Sequence, residues 1–226
     1  MKKTLLVLIV TALFAAGASA SSIIRPHGHT QSLTFDDLGL GGGDGHSGSY
    51  AAGTTFSFDV SLTFAGYSST GLSFWLETAT AFAGSLSITG VTYGTTFPDP
   101  TQTAPNPAQF NATSGANPGF LTETRDLGST INDFGNVPGP NTYFVAHITF
   151  TIAANAQPGT YILRSTTALP HTSESTSFDG TTFADEELPA ETYFVTIIPE
   201  PTTLALIGLT AVGGAIMAHR RRVLRG

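Results

Sequence analysis

Between Phe56 and Phe64 a large apolar residue takes every second position: Phe56, Phe58, Val60, Leu62 and Phe64 are separated by Ser57, Asp59, Ser61 and Thr63. A period of two sends successive side chains to opposite faces of an extended chain, whereas a helix would scatter the same residues around its axis. The stretch therefore predicts a strand with one buried face, and its aromatic and β-branched content agrees. The same alternation returns at Leu72 to Glu77, with Leu72, Phe74 and Leu76 on one face and Ser73, Trp75 and Glu77 on the other. It returns again at Phe144, Ala146, Ile148, Phe150 and Ile152, with Val145, His147, Thr149 and Thr151 opposite. From Ser85 to Tyr93 the parity changes at Gly90, which predicts a bulge there. Leu33-Thr34-Phe35, Thr160 to Ser165 and Glu191 to Ile198 supply further strands. Seven or eight strands with almost no helical period predict an all-β fold, an antiparallel β-sandwich of two packed sheets.

The sandwich is expected over residues 53–198, preceded by a glycine-rich N-terminal segment at 21–52 that reads mostly as linker. Within it, residues 98–142 carry seven of the chain's 13 prolines. Proline cannot donate to a ladder, so this part predicts a long surface loop, and binding tends to reside on such loops. Residues 21–198 hold three arginines, no lysine and 15 Asp and Glu, a formal charge of −12. That balance repels phosphate backbones and excludes nucleic acid as a partner. The chain has no cysteine, so no disulfide and no thiolate enters the argument.

The two ends read as an export signal in front and a membrane stop behind. Lys2 and Lys3, the apolar run Leu5 to Ala16, and small residues including Ala18 and Ala20 form a signal-peptide layout over 1–20, with signal peptidase cleavage expected after Ala20. At the other end, residues 202–218 are free of charge and would span roughly 26 Å as a helix, just short of a hydrocarbon core of about 30 Å. Arg220, Arg221 and Arg222 follow and would hold that end of a single transmembrane helix on the cytoplasmic side. Pro199-Glu200-Pro201 stands between body and helix as an extended, accessible hinge.

The triplet Pro199, Glu200, Pro201, the apolar run and the arginine cluster, in that order over 199–226, resemble the PEP-CTERM sorting signal of Gram-negative bacteria. The resemblance implies that an exosortase, a membrane-embedded cysteine transpeptidase, recognises the triplet and removes the helix. It further implies membrane anchoring before processing, then delivery to the cell surface or an exopolysaccharide matrix. In the body, Thr54 to Phe64, Gly71-Leu72-Ser73-Phe74, Ala83 to Ile88, Tyr143 to Ile152 and Ala156 to Tyr161 follow the order of a cohesin-type jelly-roll sandwich. That similarity implies a non-catalytic adhesion or scaffold module for a surface protein or a glycan. A carbohydrate-binding module of the matrix is the alternative reading, and a secreted hydrolase the second alternative.

Few residues offer themselves for chemistry. No Gly-x-Ser-x-Gly elbow, two-histidine zincin pattern or phosphate-cradling loop is present. No cofactor is expected. Asp36-Asp37 and Asp185-Glu186-Glu187 read as solvated loop charges or as a weak calcium site using oxygen ligands. His27, His29 and His46 lack the spacing of a closed metal site and read as solvated, and His147 reads as outward-facing with no carboxylate beside it. Trp75, the only tryptophan, reads either as core or as a platform that stacks on a sugar ring.

Overall fold

The computed structural model describes residues 23–24, 29–43, 45–101, 108–113, 119–123, 125–131, 135–165, 176–180 and 185–199. The expected signal peptide at 1–20 and the expected transmembrane helix and arginines at 202–226 lie outside these residues. Among the described residues no helix is long and apolar enough to cross a membrane. In chain order the strands are β1 (Ile23–Ile24), β2 (Thr30–Asp36), β3 (Ser47–Ala51), β4 (Thr55–Ala65), β5 (Ser68–Ser73) and β6 (Leu76–Ala79). A single helical turn, α1 (Thr80–Ala83), precedes β7 (Leu86–Tyr93), β8 (Asp99–Pro100), β9 (Ala108–Thr113), β10 (Phe120–Glu123), β11 (Ser129–Thr130) and β12 (Val137–Pro138). The remainder are β13 (Asn141–Ile152), β14 (Gly159–Ser165), β15 (Thr176–Asp179), β16 (Asp185–Glu187) and β17 (Thr192–Ile198).

Two layers carry the core. One runs β1-β2-β4-β13-β7 and the other β10-β6-β14-β17-β3, while β9 pairs with both β7 and β10 and joins them round one corner. All pairings in this path are antiparallel except β17 with β3. The inward rows of β4 and β13 meet the second layer in a stack of rings: Phe56 and Phe150 lie 4.8 Å apart, Phe35 and Phe58 4.8 Å, and Phe58 and Tyr193 5.2 Å. Each such side chain taken from water contributes about 1.5–3 kcal/mol, and offset rings add somewhat more. The predicted bulge is present, the register of β7 on β13 shifting between Ile88 and Gly90.

Several expectations are corrected. The segment 21–52 is not mainly linker: β2 pairs with β4 along its whole length, and β3 flanks β17. The span 98–142 is not one long loop, because β9 and β10 sit in the main sheet path and β8, β11 and β12 join β5 in a small third sheet with β15 and β16. Proline is tolerated there because short strands need few donors. Phe144 points outward and is 41% exposed, since a bulge between Phe144 and Ala146 buries Val145 and Ala146 together.

Leu72 to Glu77 is not one strand. It breaks at Phe74-Trp75, where the chain leaves the small sheet as β5 and enters the second layer as β6. Asp126 holds that crossing: Ser73 Oγ donates to its Oδ2 at 2.6 Å, while the backbone N–H groups of Phe74 and Gly128 donate to Oδ1 at 3.0 and 2.8 Å. A Cβ at Gly128 would lie 2.0 Å from the Leu72 carbonyl oxygen, so only glycine lets the strands approach this closely.

Among the buried carboxyls, two are shifted by their loss of water. Burial pushes Glu123 up to about 8, against the opposing pull of Arg125, and pushes Glu191 up to about 7, against the pull of His46. His46 Nδ1 lies 3.5 Å from Glu191 Oε1. Both carboxyls hold protons in the folded chain that the unfolded chain releases, so stability present at pH 4 to 5 is lost as pH rises towards 8. The melting temperature should therefore be higher at pH 5 than at pH 8.5, by a slope of up to about 1.4 kcal/mol per pH unit for each group. Glu123→Gln with Glu191→Gln should flatten that slope in a thermal melt series. Asp126→Ala strands the Phe74 and Gly128 donors, and urea unfolding should show a loss of about 1–3 kcal/mol.

Candidate functional site

The last strand delivers the chain to the sorting tail, and its surroundings define the site. Tyr193, Val195 and Ile197 of β17 point into the core, with Thr192, Phe194 and Thr196 on the other face. The strand is paired on both edges up to its end: β14 runs alongside from Gly159 opposite Ile197 to Arg164 opposite Thr192, and β3 from Ser47 opposite Phe194 to Ala51 opposite Ile198. Ile198 is 44% exposed. Pro199 follows at once, and having no N–H it ends the ladder. The triplet thus begins where the sheet stops, with no spacer between folded body and motif. Glu200 and Pro201 lie outside the described residues.

Near the start of β17 a buried carboxyl ties three segments together. Asp37, at the exit of β2, accepts hydrogen bonds at Oδ2 from the Tyr193 hydroxyl at 2.5 Å, the Tyr50 hydroxyl at 3.2 Å and the Gly41 N–H at 2.9 Å. Its Oδ1 accepts from the Gly39 N–H at 2.9 Å, and the two phenol oxygens lie 2.5 Å apart. Burial pushes the Tyr50 hydroxyl up to about 12, and burial with the Asp37 contact also pushes Tyr193 upward. The glycines make this packing possible, since a Cβ at Gly48 would lie 2.2 Å from the Tyr50 oxygen. Asp37 is therefore a buried anchor, not the solvated charge expected from its place beside Asp36.

On the second layer, β14 and β6 place Arg164 opposite Glu77, and Arg164 Nε donates to Glu77 Oε1 at 2.5 Å. The guanidinium also covers the Phe120 ring, 4.3 Å from its centroid. Glu77 is fully buried, so the pair stands among desolvated groups where loss of either partner is costly.

The other sequence candidates fall apart in space. Trp75 is 8% exposed at the β5–β6 crossing, which leaves no open ring face for a sugar. His29 packs its ring 5.3 Å from that of Tyr67, and His46, still partly exposed, lies against Glu191. His147 does have a carboxylate beside it: Asp59, its partner across β4 and β13, places Oδ1 2.7 Å from His147 Nδ1. The two residues lie 88 apart in the chain, so only strand register reveals the pair. Asp185 to Glu187 form β16, and among the described residues no group of three or more His, Asp or Glu is arranged to hold a metal ion. His27, Ala18, Ala20 and Arg220 to Arg222 lie outside the described residues.

Residues 198–222 match the family model described as the PEP-CTERM protein-sorting motif, a span that includes Pro199, Glu200, Pro201 and Arg220 to Arg222. Among curated proteins none matches the chain. Among solved structures, the chain is similar to the seventh ScaB type I cohesin from Pseudobacteroides cellulosolvens, at 13% identity and a TM-score of 0.44, covering 75% of this chain and 92% of that one. It is similar to a third cohesin from Acetivibrio cellulolyticus solved with a dockerin, at 13% identity and a TM-score of 0.45, covering 74% and 99%. A non-cellulosomal cohesin from the archaeon Archaeoglobus fulgidus matches at 8% identity and a TM-score of 0.40, covering 77% and 96%. The chain carries a PEP-CTERM protein-sorting motif at residues 198–222, behind an all-β sandwich whose structural neighbours are cohesin domains.

Proposed function

We propose that this is an exported, non-catalytic protein of the cell surface or exopolysaccharide matrix, sorted by an exosortase, with the sandwich as its adhesion or scaffold module. The observation that carries the reading is the sorting motif that starts at the last residue of β17. In this reading residues 1–20 direct export and are removed by signal peptidase. Residues 202–218 then halt the chain in the membrane, with Arg220, Arg221 and Arg222 on the cytoplasmic side. The folded body comes to rest against the outer membrane face, since β17 leaves no slack before Pro199. Exosortase acts at the triplet and leaves the sandwich without its helix. The absence of lysine and the charge of −12 over residues 21–198 suit a body that stays clear of anionic headgroups once released.

The test is the fate of the tail. In a host with an exosortase, mass spectrometry of the mature protein should find it ending within residues 199–201, with 202–226 absent. Glu200→Ala or Pro201→Ala should keep the tail and hold the protein in the membrane fraction. Recovery of wild-type chain intact to Gly226 from the cell surface would overturn the proposal.

A further inference from the structure

The outer face of the first layer, built by β2, β4, β13 and β7, is a mostly polar surface, with Phe144 exposed on it, that the core does not use. Register lines up its side chains in rows across the strands. The central row is Asp36 opposite Asp59, then His147, then Thr92. Hydroxyls occupy much of the neighbouring rows, with Thr34 opposite Ser61 on one side, where the outward Phe144 ends the row, and Ser57 opposite Thr149 on the other. Adjacent strands lie about 4.8 Å apart, so these rows bring groups that donate and accept hydrogen bonds side by side, their spacing interrupted where the register of β13 shifts on β4 and on β7. At the far end the face runs into a cavity of about 490 Å³, where Ser87 and Thr151 meet the apolar side chains of Phe110 and Leu121.

We infer that this face binds a polysaccharide bearing free amino groups, a deepening that rests on the matrix reading above. Charge selects the occupant. None of the arginines of residues 21–198 lies on β2, β4, β13 or β7, and no lysine occurs in that span, so an acidic polymer is repelled. Asp36 and Asp59 stand directly opposite one another, an arrangement of like charges that disfavours a strand pair and that a cation beside them relieves, with His147 already against one side of Asp59. Asp36 uses Oδ1 to accept the Leu38 N–H at 2.6 Å, and Asp59 uses Oδ1 for His147. An ammonium group can then form charge-assisted bonds with the carboxylates. The flanking hydroxyls take the sugar hydroxyls, and the cavity takes the apolar face of one ring.

The full chain, purified in detergent, is titrated by calorimetry with a glucosamine hexamer, a neutral glucose hexamer and a galacturonate oligomer. This assay does not depend on processing, so it can fail while the sorting result stands, and the reverse. The glucosamine hexamer should bind, the neutral oligomer at least about tenfold more weakly and the acidic oligomer not at all. Asp36→Asn with Asp59→Asn keeps the Oδ1 acceptors that Leu38 and His147 use, removes the repulsion between the two, and should weaken binding about tenfold without lowering the melting temperature. Asp99→Asn with Glu187→Gln removes the same charge from the small third sheet and should change it less than about twofold. Ser57→Lys, which sets a cation on the face, should abolish binding. Absence of binding, equal binding of the neutral oligomer, or equal weakening by the control pair would overturn the inference.

Discussion

Asp37 is the point on which the lower half of the sandwich turns. Its carboxyl is buried, and burying such a group costs several kcal/mol unless hydrogen bonds replace its water. Two phenols and two backbone N–H groups supply them. Because Tyr50 comes from β3 and Tyr193 from β17, one side chain fixes the exit of β2, the glycine-rich turn and the last strand together. Beside it β3 runs parallel to β17. With both its edges paired, β17 presents the sorting motif from a rigid base.

The rest of the interior combines non-directional packing with directional polar staples. The ring stack of Phe35, Phe56, Phe58, Phe150 and Tyr193 holds the layers face to face. Packing of that kind would tolerate sliding, since one ring can replace another. Asp126 at the β5–β6 crossing and the Arg164–Glu77 pair tolerate none, because a shift of register would leave buried donors or a buried charge without a partner. The first layer's outer face is mostly polar for the same reason of period: Ser57, Asp59, Ser61 and Thr63 alternate with the buried Phe56, Phe58, Val60, Leu62 and Phe64, and Phe144 turns outward only where a bulge breaks the alternation.

Much of this was readable from local pattern. The alternation at Phe56 to Phe64 is a strand, Gly90 marks a bulge, and the tail matches a sorting motif. Misreadings occurred where distant residues decide the outcome. Glycines at 41 and 48 look like linker until Tyr50 and Asp37 are seen to need the space a Cβ would fill. Trp75 looks like an outward residue of a continuous strand until Asp126, 51 positions later in the chain, is seen to bend that strand between two sheets. Asp59 and His147 show no relation in the sequence and touch in the fold.

By itself, then, the sequence determined that the body is made of strands with one apolar face and that its tail is a sorting signal, because periodicity and short linear motifs are properties of neighbours along the chain. Only the tertiary structure decided which carboxyls are buried anchors and which are open to partners. That distinction depends on the water each group loses and the donors it meets, and these are contributed by strands that the chain order keeps far apart.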